Sequence, residues 1–188
     1  SYADQVSGFL GCGREGILAV RQNLESGANQ AIQIRPSAAD TVSHGFAALV
    51  KFFPEGKELT AQIERELWQA LDHYGEDASP VIFDDQYIST GGQMYEMLVG
   101  HYRFFGDIRP AVLGSLGLGH SLTCHPYDAA AGLLLTEAGC IYEDPLGGDV
   151  QGPLDTVTPI AWVAYANEKL AGNLRPAFKQ IYSEHFGK

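Results

Sequence analysis

His125-Pro126-Tyr127-Asp128-Ala129-Ala130-Ala131-Gly132-Leu133-Leu134-Leu135-Thr136-Glu137-Ala138-Gly139-Cys140 is the stretch on which the reading of this chain turns. One carboxylate stands at the head of an apolar, alanine-rich run that closes on a glycine. Asp is a favoured N-cap because its oxygen accepts from the free N–H groups of the first helical turn, and its charge suits the positive end of the helix dipole. The alanines favour helix and Gly139 suits a left-handed stop. The spacing therefore predicts a helix over 129–138 with Asp128 as its cap. Leu133, Leu134 and Leu135 leave little polar face, so this helix should be covered on most sides. The same geometry can present Asp128 to a cation or a phosphate. Caps are commoner than ligands, and the residues alone leave both roles open.

Outward from this stretch, strands and helices alternate. Residues 16–20 and the alternating Ala31-Ile32-Gln33-Ile34 read as strands. Residues 38–53 are compatible with a helix ending at Pro54. The clearest helix spans 57–74, where Leu59, Ile63, Leu67 and Leu71 recur every four residues and Glu58, Glu64, Arg65 and Glu66 take the other sides; Gly75 is its natural stop. Pro80-Val81-Ile82-Phe83 is a strand candidate, residues 93–99 a short helix, and 102–105 an aromatic strand. Residues 110–124 are rich in Gly and Leu without periodicity and read as loop. Ile141-Tyr142 is a strand that ends at the turn-prone Asp144-Pro145-Leu146-Gly147-Gly148. Residues 160–166 form the strongest late strand, followed by a helix from Glu168 that is interrupted or restarted at Pro176. Alternation of this kind favours an α/β layered sandwich of mixed sheet and helices, built as a single domain over 1–188.

Composition narrows the function. A chain of 188 residues with 23 acidic and 12 basic side chains carries a net charge of −11. That balance, with no basic cluster, argues against a nucleic-acid backbone as partner. Three cysteines without CxxC spacing suggest neither a disulfide framework nor a zinc ribbon, and point to a reducing, cytoplasmic compartment. No apolar run approaches the ~20 residues that span a bilayer, so no membrane partner is expected. His120, Cys124 and His125 match no standard zinc or nucleophile spacing.

Tyr127-Asp128-Ala129-Ala130-Ala131-Gly132, followed by Glu137-Ala138-Gly139-Cys140, resembles the Trp-Asp-x-x-Ala-Gly…Glu-Ala-Gly-Gly signature of the inositol monophosphatase-like, metal-dependent phosphatases. Ser89-Thr90-Gly91-Gly92 through Gly100 is similar to that family's Gly-Ser-Ala-Ala…Ala-Gly-Arg segment, and Gly27-Ala28 with Ile34-Arg35-Pro36-Ser37 looks like its hairpin. The resemblance covers most of the chain and maps to the C-terminal half of the family's fold. It implies that Asp128 is a catalytic ligand of Mg²⁺, that Thr90 and Gly91 contact substrate, and that the partner is a small phosphorylated alcohol: an inositol phosphate, a sugar phosphate or a nucleotide 3′-phosphate.

Departures matter. Tyr127 replaces Trp and Cys140 replaces the second Gly. The family's first motif, Asp-Pro-x-Asp-Gly-Thr, is absent; Asp144-Pro145-Leu146-Gly147-Gly148-Asp149 imitates it but has Gly147 at the second ligand, and reads as a surface turn. Mg²⁺ needs several converging oxygen ligands. Asp84, Asp85 and Asp107 are read as solvated loop acids. The remaining ligands would then come from sequence not present here, a missing N-terminal half, or from another chain, as in a homodimer. The alternative is a non-catalytic binding or assembly module on the same half-fold.

Overall fold

The computed structural model describes residues 1–71, 82–119 and 123–187. Three strands, β1 (Tyr2–Ser7), β2 (Leu18–Asn23) and β3 (Asn29–Ala31), form an antiparallel sheet in that order. A second sheet is built from β4 (Gly45–Leu49), β5 (Ile82–Phe83), β6 (Tyr102–Asp107), β7 (Ile141–Glu143) and β8 (Trp162–Tyr165) in the order β5-β4-β6-β8-β7. It is mixed: β4 runs parallel to β5 and β6, whereas β8 runs antiparallel to β6 and β7. The helices are α1 (Lys57–Ala70), α2 (Thr90–Leu98), α3 (Arg109–Ser115), α4 (Pro126–Ala129), α5 (Gly132–Glu137) and α6 (Glu168–Phe186).

Side-chain alternation along the second sheet builds the layers. Phe104, Val163 and Tyr165 point to one face, where they meet Ile63 and Leu67 of α1 and Leu170, Leu174 and Phe178 of α6. Phe105, Trp162 and Ala164 point to the other, against Met94, Met97 and Leu98 of α2 and Leu135 of α5. Successive strand residues face opposite ways, so each strand feeds both cores. The three-stranded sheet covers the far side of α2 and α5 through Val6, with Ile17 alongside. The result is the expected α/β layered sandwich.

Several expectations need correction. Residues 38–53 hold a strand, β4, where a helix was expected. Ala47, Ala48 and Leu49 are all buried because β4 is flanked by parallel strands and covered on both faces, and such strands lose the alternation that marks them. The loop expected over 110–124 contains α3, started by Pro110 in its first turn. Pro176 does not interrupt α6. That helix is held by the core contacts of Leu170, Ala171, Leu174, Phe178 and Ile181, on both sides of the proline. The stop expected at Gly75 lies outside the described residues.

The deciding stretch also folds differently in detail. Two short helices, α4 and α5, replace the one expected over 129–138. Pro126, favoured at the first helical position, starts α4 early, so His125 is the N-cap and Asp128 stands three residues on. Leu135 is fully buried, but Leu133 remains 39% exposed, so the cover is one-sided. Gly139 does adopt the left-handed conformation, with φ +86°.

Candidate active site

Asp128 keeps a capping task from its new position: its Oδ2 accepts the His125 N–H at 3.3 Å. The bond is long, and the carboxylate remains half-buried, not sealed. The ring of His125 stacks on Tyr127 with centroids 5.7 Å apart, and the Cys124 carbonyl accepts the Ile160 N–H at 2.8 Å, tying the approach to α4 onto the chain entering β8. Gly132 lies against the Tyr142 ring, whose hydroxyl donates to the Ala129 carbonyl at 3.2 Å. A Cβ at that glycine would collide with the ring. This contact fixes the angle at which Asp128 is carried.

Thr90 and Gly91 open α2, which packs against α4. Ser89 caps that helix, its hydroxyl accepting the Gly92 N–H at 3.1 Å. The two residues face different ways. Thr90 is buried, its hydroxyl beside the Cys124 thiol, whereas Gly91 is exposed and a Cβ there would meet nothing. Gly91 lines a cleft of about 780 Å³ between the three-stranded sheet and α2, with Tyr2, Asp4, Arg21, Tyr87 and Tyr95 among its walls. Asp128 and Thr90 are not in that wall. Thr90 turns instead toward Cys124. Burial chiefly pushes that thiol up to about 12, the carboxylates of Asp107 and Asp128 add to the effect, and Thr90 and Trp162 oppose it.

Two further groups escaped the sequence reading. Asp107, expected as a solvated acid, has no exposed surface. It ends β6 and is gripped by Arg109, which donates Nε to Oδ1 at 2.9 Å and Nη2 to Oδ2 at 2.6 Å, while the Arg109 N–H reaches Oδ1 at 3.1 Å. The guanidinium also lies over Phe52 and Phe53, 5.0 and 5.6 Å from their centroids. Asp84 and Asp85 are exposed as expected, paired with Lys51 and His101. In the cleft, Arg21 grips Asp4 with two bonds of 2.8 and 2.7 Å, and the Tyr95 hydroxyl donates to Asp4 at 2.6 Å. The Arg21 bonds hold the Asp4 carboxyl down to about 2, and burial leads the rise of Tyr95 to about 12. Asp4 faces Arg21 directly across β1 and β2, a cross-strand charge pair that the hairpin pattern could have disclosed.

The turn reading of residues 144–149 holds: Asp144 accepts from the N–H groups of Leu146 and Gly148 at 2.7 and 2.9 Å. Glu137 is likewise structural, accepting from the N–H groups of Gly11 and Gly13.

No family model and no curated protein matches the chain. Solved structures do. SuhB of Mycobacterium tuberculosis superposes with a TM-score of 0.52 at 15% identity, over 89% of this chain and 52% of that one. The suhB protein of Bartonella henselae gives 0.52 at 16%, over 87% and 53%. An inositol monophosphatase from Anabaena gives 0.51 at 15%, over 87% and 56%. The fold is the inositol monophosphatase fold. The chain spans about half the length of these neighbours. Among the described residues no group of three or more His, Cys, Asp or Glu side chains could hold a metal ion, and no helix is long and apolar enough to cross a membrane.

Proposed function

We propose that this chain carries part of a phosphatase of the inositol monophosphatase type, acting on a monoester of a small alcohol: an inositol phosphate, a sugar phosphate or a nucleotide 3′-phosphate. The observation that carries the reading is the packing of α4, which carries Asp128, against α2, which opens on Thr90 and Gly91. Gly91, with no side chain to obstruct, lets the first turn of α2 approach a polar ligand closely, and helix N-termini favour anions. Asp128 would contribute one oxygen ligand to a Mg²⁺ ion. The described residues do not complete such a site, since Asp107 is already neutralised by Arg109. On this reading the other ligands come from polypeptide outside these 188 residues.

Asp128→Asn is expected to abolish Mg²⁺-dependent phosphate release by the polypeptide that carries this chain, while the urea midpoint moves by less than ~1 kcal/mol equivalent because the capping bond is long. Unchanged turnover across a panel of phosphomonoesters refutes the role. The buried Asp107–Arg109 pair favours a second reading, a non-catalytic binding or assembly module, because it spends the most enclosed acid near Asp128 on structure. That reading gains if the intact chain neither binds Mg²⁺ beyond millimolar affinity nor releases phosphate, with no partner chain restoring either.

A further inference from the structure

β5 lends only two residues to the second sheet, Ile82 and Phe83 opposite Gly45 and Phe46. Beyond Phe83 side chains have to hold the chain, and Lys51 supplies the grip. Its ammonium lies 2.9 Å from Glu64 Oε2 and 2.6 Å from Asp84 Oδ2, and its backbone N–H donates to Gln86 Oε1 at 2.9 Å. Gln86 closes the ring by donating Nε2 to Asp84 Oδ1 at 2.9 Å. Lys51 is itself fixed from behind: Glu64 of α1 also accepts the Leu49 N–H at 2.8 Å, and the Val50 N–H donates to the Gly106 carbonyl at 2.8 Å. The Lys51 side chain is 9% exposed, so water and salt screen its ion pairs little. The neighbouring Asp85–His101 pair is longer, at 3.2 Å, and more open to solvent, where such pairs contribute little.

What Lys51 holds leads directly to the candidate site. The next residue, Tyr87, donates its N–H to the hydroxyl of the buried Tyr102 at 2.9 Å, and its carbonyl accepts Gln93 Nε2 at 2.8 Å. The Tyr87 ring lies against Gly92, where a Cβ would strike it, and lines the same cleft as Ser89 and Gly91. A shift of residues 84–86 is therefore passed to this wall. We propose that Lys51 is a positioning residue of the candidate site: by holding Asp84 and Gln86 it sets where Tyr87 and the turn at residues 89–92 stand, and so how tightly a phosphomonoester is bound. The substrate clause rests on the phosphatase reading; the placement of the wall does not. Small misplacements of binding groups are costly even when the altered residue is remote. Asp128 is carried on a different helix, α4, so the effect falls on binding and spares the chemical step.

Lys51→Met strands the buried Glu64 and endangers folding, so the test uses Asp84→Asn, which loosens the grip while Glu64 still neutralises Lys51. Asp85→Asn is the control, one residue away with the same change of charge. In the 188-residue chain, hydrogen exchange at the Tyr87 and Gly92 amides should quicken at least about fivefold in Asp84→Asn, with Leu174 and Phe178 of α6 at the parent rates, and Asp85→Asn should leave all four unchanged. In the longer polypeptide that carries this chain, Asp84→Asn should raise KM for a phosphomonoester at least about threefold with kcat within about twofold, the sign of lost uniform binding, whereas Asp85→Asn should move neither by more than about twofold. Unchanged exchange at Tyr87 and Gly92 overturns the proposal. So does equal quickening in both variants or in α6, which would report a general loosening. Quickened exchange with KM unchanged also overturns it, because the wall then moves without effect on binding. A parent polypeptide that releases phosphate from no ester overturns the phosphatase reading together with the substrate clause, and the exchange rates alone then decide whether Lys51 holds the wall.

Discussion

Replacing Asp107 by Asn removes one charge from a pair that water does not reach. The carboxylate has no exposed surface and the Arg109 side chain is 9% exposed, so the guanidinium would lose a fully buried carboxylate from its surroundings. Asn preserves shape, opens no cavity and can still accept at one oxygen. The loss is therefore electrostatic, and breaking such a pair from one side costs about 3–5 kcal/mol. The cation–π contacts with Phe52 and Phe53 survive, which favours the lower end. With a urea slope of about 2 kcal/mol per molar, ~3 kcal/mol lowers the midpoint by about 1.5 M. Urea unfolding followed by tryptophan fluorescence reads this directly, since Trp162 lies in the same core. Asp107→Asn combined with Arg109→Met should regain at least half of the loss, because an apolar replacement leaves no charge behind. A shift below about 0.5 M at unchanged slope, or a double variant no better than the single one, refutes the account of this pair.

Other outcomes follow from the same geometry. Gly91→Ala should leave stability within ~0.5 kcal/mol, because its Cβ meets nothing, while raising KM for a ligand that enters the cleft; Gly92→Ala should cost about 1–3 kcal/mol by driving a methyl into the Tyr87 ring, and equal midpoints for the two would contradict this. Because Arg21 lowers the folded carboxyl of Asp4, the stabilisation it gives is full above the ordinary carboxylate range and is lost as pH falls from about 4 towards 2. Asp4→Asn should therefore flatten the thermal midpoint against pH across that window and leave the slope above it untouched. One thiol per chain should react quickly with a disulfide reagent at pH 8: Cys12 is exposed, whereas burial pushes Cys124 and Cys140 up to about 12. Two fast thiols would mean that the core opens.

The layered fold was legible where one face of an element is wet. In α1, Ile63 and Leu67 face the core and Glu58 the solvent, so the four-residue period survives in the sequence. It was illegible in β4, where both faces are covered and Ala47-Ala48-Leu49 carries no period. For α6, Pro176 signalled a break that tertiary contacts override. The site was half legible. Asp128 and Gly91 stand out as a carboxylate at a helix start and a glycine in a first turn, but Pro126 moved the cap three residues back to His125 and left Asp128 at the third helical position. Asp107 was misread because burial depends on a partner: Arg109 lies only two positions on, yet nothing in the spacing says that the chain folds the pair inward against Phe52 and Phe53. Asp4 and Arg21 become neighbours only once the hairpin register is known.

The position of β8 has a consequence for how this protein is made. It lies between β6 and β7, yet it is the last strand in the chain, and Asn167 just beyond it caps α6 while donating to the Ser37 and Ala39 carbonyls some 130 residues earlier. A ribosome must therefore release residue 165 before the sheet can close, and 167 before the segment ahead of β4 is fastened. Until then β6 waits for a partner about 60 residues further along the chain, and β7 waits with both edges open. A pause in synthesis between β7 and β8 would prolong that wait and the exposure of both edges to other chains.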